Sequence, residues 1–161
     1  MKSITLILVM MCSSVFGINY IQMGNDIDGE ASYDYFGWSV ALSSDGSIVA
    51  IGARGNGRVR LYQWDGSSWN QLGSIIDGEA YDDYSGTSVA LSSDGSIVAI
   101  GAHYNDGNGL DSGHVRLYQW DGSSWNQLGN DIDGEAAGDW SGSSVALSSD
   151  GSIVAIGAYR N

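Results

Sequence analysis

The stretch SVALSSDGSIVAIGA occupies residues 39–53 and returns unchanged at residues 88–102 and 144–158. Each copy contains two apolar runs joined by an Asp-Gly pair, which is Asp45-Gly46 in the first copy. Runs rich in Val and Ile on either side of Asp-Gly are typical of a β-hairpin. We expect a type I′ turn, because that turn requires positive φ at both central residues and Asp-Gly tolerates it. This hairpin is therefore the predicted building block of the fold.

The hairpin belongs to a longer repeat. Units begin at Ile27, Ile76 and Ile132, at spacings of 49 and 56 residues. The longer spacing arises between Ala102 and Val115 and is typical of a loop insertion. In the first two units the segments VRLYQW and WNQLG follow the hairpin, which predicts four antiparallel strands per unit. A period near 50 residues indicates a propeller or a solenoid.

The apolar pattern indicates how these strands are covered. Residues 48–53 are an almost unbroken apolar run, whereas a strand with one solvated face alternates between apolar and polar residues. We therefore expect the inner strands to be covered on both faces, as the blades of a propeller are. No capped amphipathic helix follows residue 17. The predicted fold class is all-β: a partial β-propeller of four-stranded antiparallel blades, with about two and a half blades present.

The pattern divides the chain into five segments. They are a signal peptide at residues 1–17, an orphan last strand of a preceding or closing blade at 18–26, blade 1 at 27–75, blade 2 at 76–131 and an incomplete blade 3 at 132–161. Lys2, an apolar run and small residues before a cleavage site give residues 1–17 the layout of a secretory signal. We expect a secreted fragment of a longer propeller, whose remaining blades come from a longer chain or from self-assembly.

Composition excludes several classes of partner. The chain has 19 acidic and six basic residues and a formal net charge of −13. Nucleic acids and anionic membrane surfaces would repel such a protein. The apolar run in residues 1–17 is shorter than the about 20 residues that cross a bilayer, so no membrane span is expected. The single cysteine, Cys12, lies in the predicted signal, which leaves the mature chain without disulfides.

The segment YFGWSV at residues 35–40, followed by Ile51-Gly52-Ala53, resembles the FG-GAP repeat of integrin α-type propellers. The resemblance implies a propeller, commonly seven-bladed, that acts in extracellular adhesion or binding. Three residues depart from the family pattern. Arg54, His103 and Tyr159 stand where Pro would follow Gly-Ala.

Acidic residues in the loops between blades are the main binding candidates. A ring of carboxylates could hold calcium or a basic ligand, or the same residues could serve the turns by accepting backbone N–H bonds. The turn role is favoured, because repeated loops serve the repeated structure first. The candidates are Asp28, Glu30, Asp34, Asp77, Glu79, Asp83, Asp133, Glu135 and Asp139.

The sequence contains few candidate metal ligands. We expect no cofactor, with calcium as the alternative. Integrin-type calcium loops lie between strands one and two, but here residues 44–47 offer one carboxylate, and calcium takes six or more oxygens. The inserted loop is richer in oxygen ligands but lacks the closing bidentate Glu. Its candidates are Asp106, Asn108 and Asp111. His103 and His114 are single residues with no partner at ligand spacing in the sequence.

Tryptophans flank the second Asp-Gly turn of each complete unit. They could stack on sugars, but cross-strand pairing that holds the two outer strands together is favoured. These residues are Trp64, Trp69, Trp120 and Trp125. The few cations are expected to pair with nearby carboxylates, namely Arg58, Arg60 and Arg116.

The leading functional hypothesis is a secreted, non-enzymatic module that binds an extracellular protein or glycan, as in adhesion. The loop acids recur in every unit, whereas a catalytic pair would be expected to break the repeat. Two alternatives stay open: an extracellular hydrolase of polysaccharides and a purely structural acidic surface protein.

Overall fold

The computed structural model describes residues 9–14 and 17–161, with side chains described from Ile21 onward. The predicted signal peptide therefore lies largely outside the described residues. Of its described residues, Val9–Ser14 forms strand β1, which pairs antiparallel with β2, Gly17–Gln22, and Gly17 is the first residue of β2.

The first repeat forms one antiparallel sheet. Its strands lie in the order β3, β4, β5 and β6, and a short strand β7 pairs with the half of β5 that β6 leaves free. Their bounds are Phe36–Leu42 for β3, Ile48–Ala53 for β4, Arg58–Trp64 for β5, Trp69–Gln71 for β6 and Ile76–Asp77 for β7. The outer strand of the blade is thus split into two short pieces.

The second repeat has the same arrangement and the third contains its first two strands. A single-turn 3-10 helix, Tyr81–Asp83, precedes the second blade. The strands are β8 (Ser88–Leu91), β9 (Ile97–Ala102), β10 (His114–Trp120), β11 (Trp125–Gln127) and β12 (Ile132–Asp133), then β13 (Ser144–Leu147) and β14 (Val154–Gly157). The predicted all-β partial propeller is confirmed. No helix among the described residues is long and apolar enough to cross a membrane.

The hairpin turn differs from the predicted type I′ turn. Gly46 has a φ of 73°, but Asp45 is not among the residues with positive φ, so the prediction is wrong. The Gly46 N–H donates to the Ser43 carbonyl at 2.9 Å. The Asp45 carboxylate accepts bonds from the Ser43 hydroxyl at 2.7 Å and the Ser47 N–H at 2.9 Å, and these bonds lower the pKa of Asp45 to about 2. The serines around the Asp-Gly pair therefore select a different turn.

The core lies between the blades. Val59 and Leu61 of β5 pack against Val98 and Ile100 of β9, and all four side chains are almost completely buried. A second cluster joins the second blade to the two strands of the third unit. The unbroken apolar run of β4 and β9 is explained by this burial on both faces.

The two ends of the array are covered on one face only. Val40 and Leu42 of β3 are each 48 % exposed, and Ile153 next to β14 is 67 % exposed. The prediction that inner strands are covered on both faces is therefore right for β4 and β9 and wrong at the ends. The physical reason is that the described residues place no further blade against those faces.

Hydrogen bonds between blades repeat along the array. The Ser44 N–H donates to the Ser93 carbonyl and the Ser93 N–H to the Ser149 carbonyl, both at 2.8 Å. The Ser39 hydroxyl donates to the Gly86 carbonyl at 2.8 Å. Because each identical hairpin offers the same groups, neighbouring units dock in the same register.

The outer hairpins are closed by tryptophan pairs. Trp64 and Trp69 are cross-strand partners with ring centroids 5.3 Å apart, and Trp120 and Trp125 repeat this separation. The predicted cross-strand pairing is confirmed. The Trp125 indole N–H also donates to the Leu72 carbonyl at 2.9 Å, which ties the second blade to the first.

Candidate functional site

The third acid of each inter-blade loop is a structural ligand of its own loop. Asp34, Asp83 and Asp139 are each at most 8 % exposed. The Asp34 carboxylate accepts the Glu30 N–H at 2.9 Å, and that of Asp139 accepts the Ala136 N–H at 2.8 Å. In these loops the buried carboxylates thus bind backbone N–H groups, as the turn interpretation expects.

Three of the other loop acids pair with arginine. Arg58 lies 3.0 Å from Glu30 and 2.8 Å from Asp77, and Arg60 approaches Glu30 at 3.9 Å. In the second unit Arg116 approaches Glu79 at 4.0 Å. The predicted pairing of these arginines with carboxylates is confirmed.

The remaining loop acids, Asp28, Asp133 and Glu135, are exposed in the segments that precede β3 and β13, the first strands of their units. The backbone carbonyl of Asp28 accepts a bond from Arg60 at 3.1 Å.

The inserted loop is held by its own polar groups. The Asp111 N–H donates to the Asp106 carboxylate at 2.8 Å. The Asn108 amide donates to the carbonyl of Gly134 at 2.8 Å, which anchors the insertion to the next inter-blade loop. These contacts give the three proposed metal candidates a role in loop structure.

The structure brings His114 close to two carboxylates. Its Nδ1 lies 3.5 Å from Asp131 Oδ2 and 4.0 Å from Glu79 Oε2. The expectation that His114 lacks a partner at ligand spacing is therefore wrong, because the fold joins residues that are far apart in sequence. Burial is the main cause that lowers the pKa of His114.

An aromatic pocket of about 290 Å³ opens where the first strand of each unit begins and the second strand ends. Its lining residues are Trp38, Arg54, Thr87, His103, Tyr104, Trp140, Ser143 and Tyr159. We call it the aromatic pocket.

The rings of the aromatic pocket contact one another. Tyr104 and Trp140 have centroids 4.8 Å apart, and Trp140 and Tyr159 meet edge to face at 5.4 Å. The Arg54 guanidinium carbon lies 4.4 Å above Trp38 and 4.5 Å from the Tyr84 ring. A cation between two rings at such distances is stabilised by cation–π attraction.

An uncommon backbone conformation recurs beside the aromatic pocket. Tyr35, Tyr84 and Trp140 occupy the same position in successive units and have φ of 50°, 55° and 58°. Positive φ costs a bulky residue about 1–3 kcal/mol and clusters at functional sites. The repeat thus holds one strained aromatic residue per unit at this edge.

His103 makes stability depend on pH. Burial, followed by the charge of Arg54, lowers the pKa of His103 from 6.5 to about 4. Between these values the unfolded chain binds the proton and the folded chain does not, so stability falls with falling pH. We expect the titration of His103 alone to lower the free energy of unfolding by about 2.5 kcal/mol between pH 6.5 and pH 4, since each pKa unit corresponds to about 1.4 kcal/mol and the titration is incomplete at both ends of this range. Urea denaturation at closely spaced pH values measures how the free energy of unfolding changes with pH.

The matched variant for this prediction is His103→Gln. The groups around His103 are Arg54 and the rings of Tyr84, Tyr104 and Trp140. Burial also lowers the pKa of His114, so both proteins lose stability as the pH falls. The difference between the pH dependence of the original chain and that of His103→Gln therefore isolates His103. Equal slopes in the variant and the original chain would refute the prediction.

The aromatic pocket was missed by the sequence analysis, although a signal exists. The units are nearly identical, yet Trp38, Thr87 and Ser143 differ at one equivalent position. Arg54, His103 and Tyr159 differ at another, the position where the family pattern has Pro. Both of these positions vary between nearly identical repeats, and both lie in the lining of the pocket.

Comparison with known families identifies the repeat. The FG-GAP repeat family matches residues 27–68 and 69–118, more than half of the chain. The chain belongs to the FG-GAP repeat family. Among curated proteins no sequence matches.

Solved structures similar to this FG-GAP chain include two putative 6-phosphogluconolactonases. The protein from Bacteroides uniformis has 12 % identity and a TM-score of 0.53, over 73 % of this chain and 31 % of its own. The protein from Bacteroides fragilis has 13 % identity and a TM-score of 0.53, over 73 % of this chain and 30 % of its own. Hydrazine synthase from Kuenenia stuttgartiensis has 15 % identity and a TM-score of 0.53, over 80 % of this chain and 30 % of its own. The FG-GAP chain spans about a third of each.

These similarities correct the expectation of a non-enzymatic protein. Proteins with the fold of this FG-GAP chain include chains named as putative lactonases. At such low identity the likeness shows the fold alone. An exclusion of enzymatic activity drawn from the repeat pattern was therefore wrong.

Proposed function

We propose that this FG-GAP chain is an extracellular binding module and that its ligand is a glycan held in the aromatic pocket. The observation that carries the proposal is the lining of that pocket, which combines Trp and Tyr rings with Arg54, Thr87 and Ser143. Ligand sites are typically lined by aromatic groups with a few convergent polar groups.

The chemistry of the aromatic pocket fits a sugar ring. A pyranose has an apolar face of C–H groups and a polar edge of hydroxyls. The rings of Trp140 and Tyr159 provide aromatic surface, and Tyr159 is 68 % exposed. The hydroxyls of Thr87 and Ser143 lie in the same lining and donate to the carbonyls of Tyr84 and Trp140, so their oxygens can accept bonds from ligand hydroxyls.

The charge of the chain narrows the class of glycan. Its net charge of −13 disfavours polyanionic glycans such as sulfated chains. Neutral glycans, or glycans that carry amino groups, are therefore the proposed ligands. The secretory layout of residues 1–17 supports an extracellular site of action.

Two substitutions test the aromatic pocket. We expect Trp140→Ala and Tyr159→Ala each to weaken glycan binding at least tenfold, because each removes a ring from the lining. A neutral glycan array with the full chain identifies the probe, and titration calorimetry with that glycan measures the loss.

Tyr81→Ala is the matched control. Tyr81 is 67 % exposed, almost the same as Tyr159, and is not part of the pocket lining. We expect its affinity to stay within twofold of the original chain. Absence of any glycan binding, or equal losses in Tyr81→Ala and Tyr159→Ala, would contradict the proposal.

A further inference from the structure

We propose that Glu79, His114 and Asp131 bind a divalent transition-metal ion of the zinc type. Glu79 lies in the loop before the 3-10 turn, His114 is the first residue of β10, and Asp131 precedes β12. One nitrogen and two carboxylate oxygens of these residues all lie within 4.8 Å of one another. The site is independent of the aromatic pocket and shares no lining residue with it.

The imidazole of His114 is the observation that points to a ligand. Its side chain is 1 % exposed, and Nδ1 is buried without a hydrogen-bond partner among the described residues. Buried polar atoms almost always have a partner. The carboxylate oxygens at 3.5 and 4.0 Å are too far for good hydrogen bonds, but they lie where a shared cation would join all three groups.

The first unit shows what occupies the equivalent position there. Arg58 is the counterpart of His114, and its guanidinium lies 3.0 Å from Glu30 and 2.8 Å from Asp77. Glu30 is the counterpart of Glu79. The first unit thus places its own cation among the loop carboxylates, whereas the second unit offers a metal-ligating imidazole at the same place.

Neighbouring side chains orient the two carboxylates. The Gln127 amide donates to Asp131 Oδ1 at 2.6 Å, and the other oxygen, Oδ2, is the one near His114. Arg116 approaches Glu79 through Oε1, at 4.0 Å. Asn105 donates to Glu79 Oε2 at 3.1 Å, and a second lone pair of that oxygen is left for a metal. Such supporting contacts are typical of metal ligands.

The ligand set indicates the kind of metal. A nitrogen with two carboxylate oxygens suits zinc, which binds nitrogen at about 2.0–2.1 Å and carboxylate oxygen at about 2.0–2.2 Å. Calcium prefers six to eight oxygen ligands, and an imidazole nitrogen is not among its usual ligands. Three protein ligands leave a coordination position for water or for a ligand atom.

Zinc titration of the full chain tests the site. We expect one zinc ion to bind per chain by calorimetry and to raise the melting temperature. Cobalt(II), used as a spectroscopic probe, should give visible absorption bands of a nitrogen and oxygen site. His114→Gln and Asp131→Asn should each weaken zinc binding at least tenfold.

His103→Gln is the control, because His103 is also a buried imidazole without a partner for Nδ1 but lies among aromatic rings. It should leave zinc affinity unchanged. If His114→Gln does not fold, Asp131→Asn decides, since the Asp131 side chain is 25 % exposed. Failure of the original chain to bind zinc, unchanged affinity in Asp131→Asn, or equal binding of calcium would each overturn the proposal.

Discussion

Replacing Leu61 by Ala is expected to lower the free energy of unfolding by about 4 kcal/mol. Leu61 lies in β5 with no exposed surface and packs in the cluster between the first and second blades. Truncation of a fully buried Leu costs about 2–5 kcal/mol, because apolar contacts are lost and a cavity stays behind. The upper part of this range applies, since strands of two blades enclose the site and cannot easily collapse. Equilibrium urea denaturation of the full chain measures the change.

Leu110→Ala is the matched control for Leu61→Ala. Leu110 lies in the inserted loop and is 70 % exposed. The same chemical change should alter stability by less than about 0.5 kcal/mol there. If both variants lost the same stability, or if Leu61→Ala lost less than 1 kcal/mol, the proposed core between the blades would be incorrect.

Replacing Gly101 by Ala is expected to destabilise the protein by about 3 kcal/mol. Gly101 lies in β9, and an added Cβ would collide with the carbonyl oxygen of Gly142 in the next unit. That oxygen also accepts a hydrogen bond from the Ser88 hydroxyl at 2.7 Å. Because a backbone atom cannot rotate away, the units must separate, and overpacking of this kind costs about 1–3 kcal/mol or more. Thermal and urea denaturation report the loss.

Gly157→Ala is the matched control, at the equivalent position of another unit. Gly157 is the counterpart of Gly101 in the third unit, and its added Cβ would collide only with the Ser144 hydroxyl, which can rotate. We therefore expect a loss below about 1 kcal/mol. A large loss in Gly157→Ala would show that the cost comes from the strand itself rather than from contact between units.

Much of the blade could be predicted from residues that are close in sequence. The Asp-Gly pairs located the hairpins, and the Trp64 and Trp69 pair followed from their positions on either side of a turn. The turn differs from the predicted type, because the Ser43 and Ser47 side chains donate hydrogen bonds to the Asp45 carboxylate. Local patterns thus locate turns well but decide their geometry only when side-chain bonds are included.

The candidate sites depend on residues that are far apart in sequence. Asp34 and Glu30 could be assigned to their loop because both partners lie within a few residues. His114 could not be joined to Glu79 in this way, since the intervening chain forms a complete hairpin and the inserted loop. Proximity of that kind is created by the pairing of β10 with β9 and β12.

The sequence by itself determined the all-β fold and the repeated unit of this FG-GAP chain. The physical reason is that apolar periodicity and Asp-Gly turns depend on residues a few positions apart, and these patterns occur three times in the chain. Only the tertiary structure decided which units bury their faces, which side chains form the aromatic pocket and how His114 meets two carboxylates. These features arise from the docking of one blade on the next, where side chains from different units share one space.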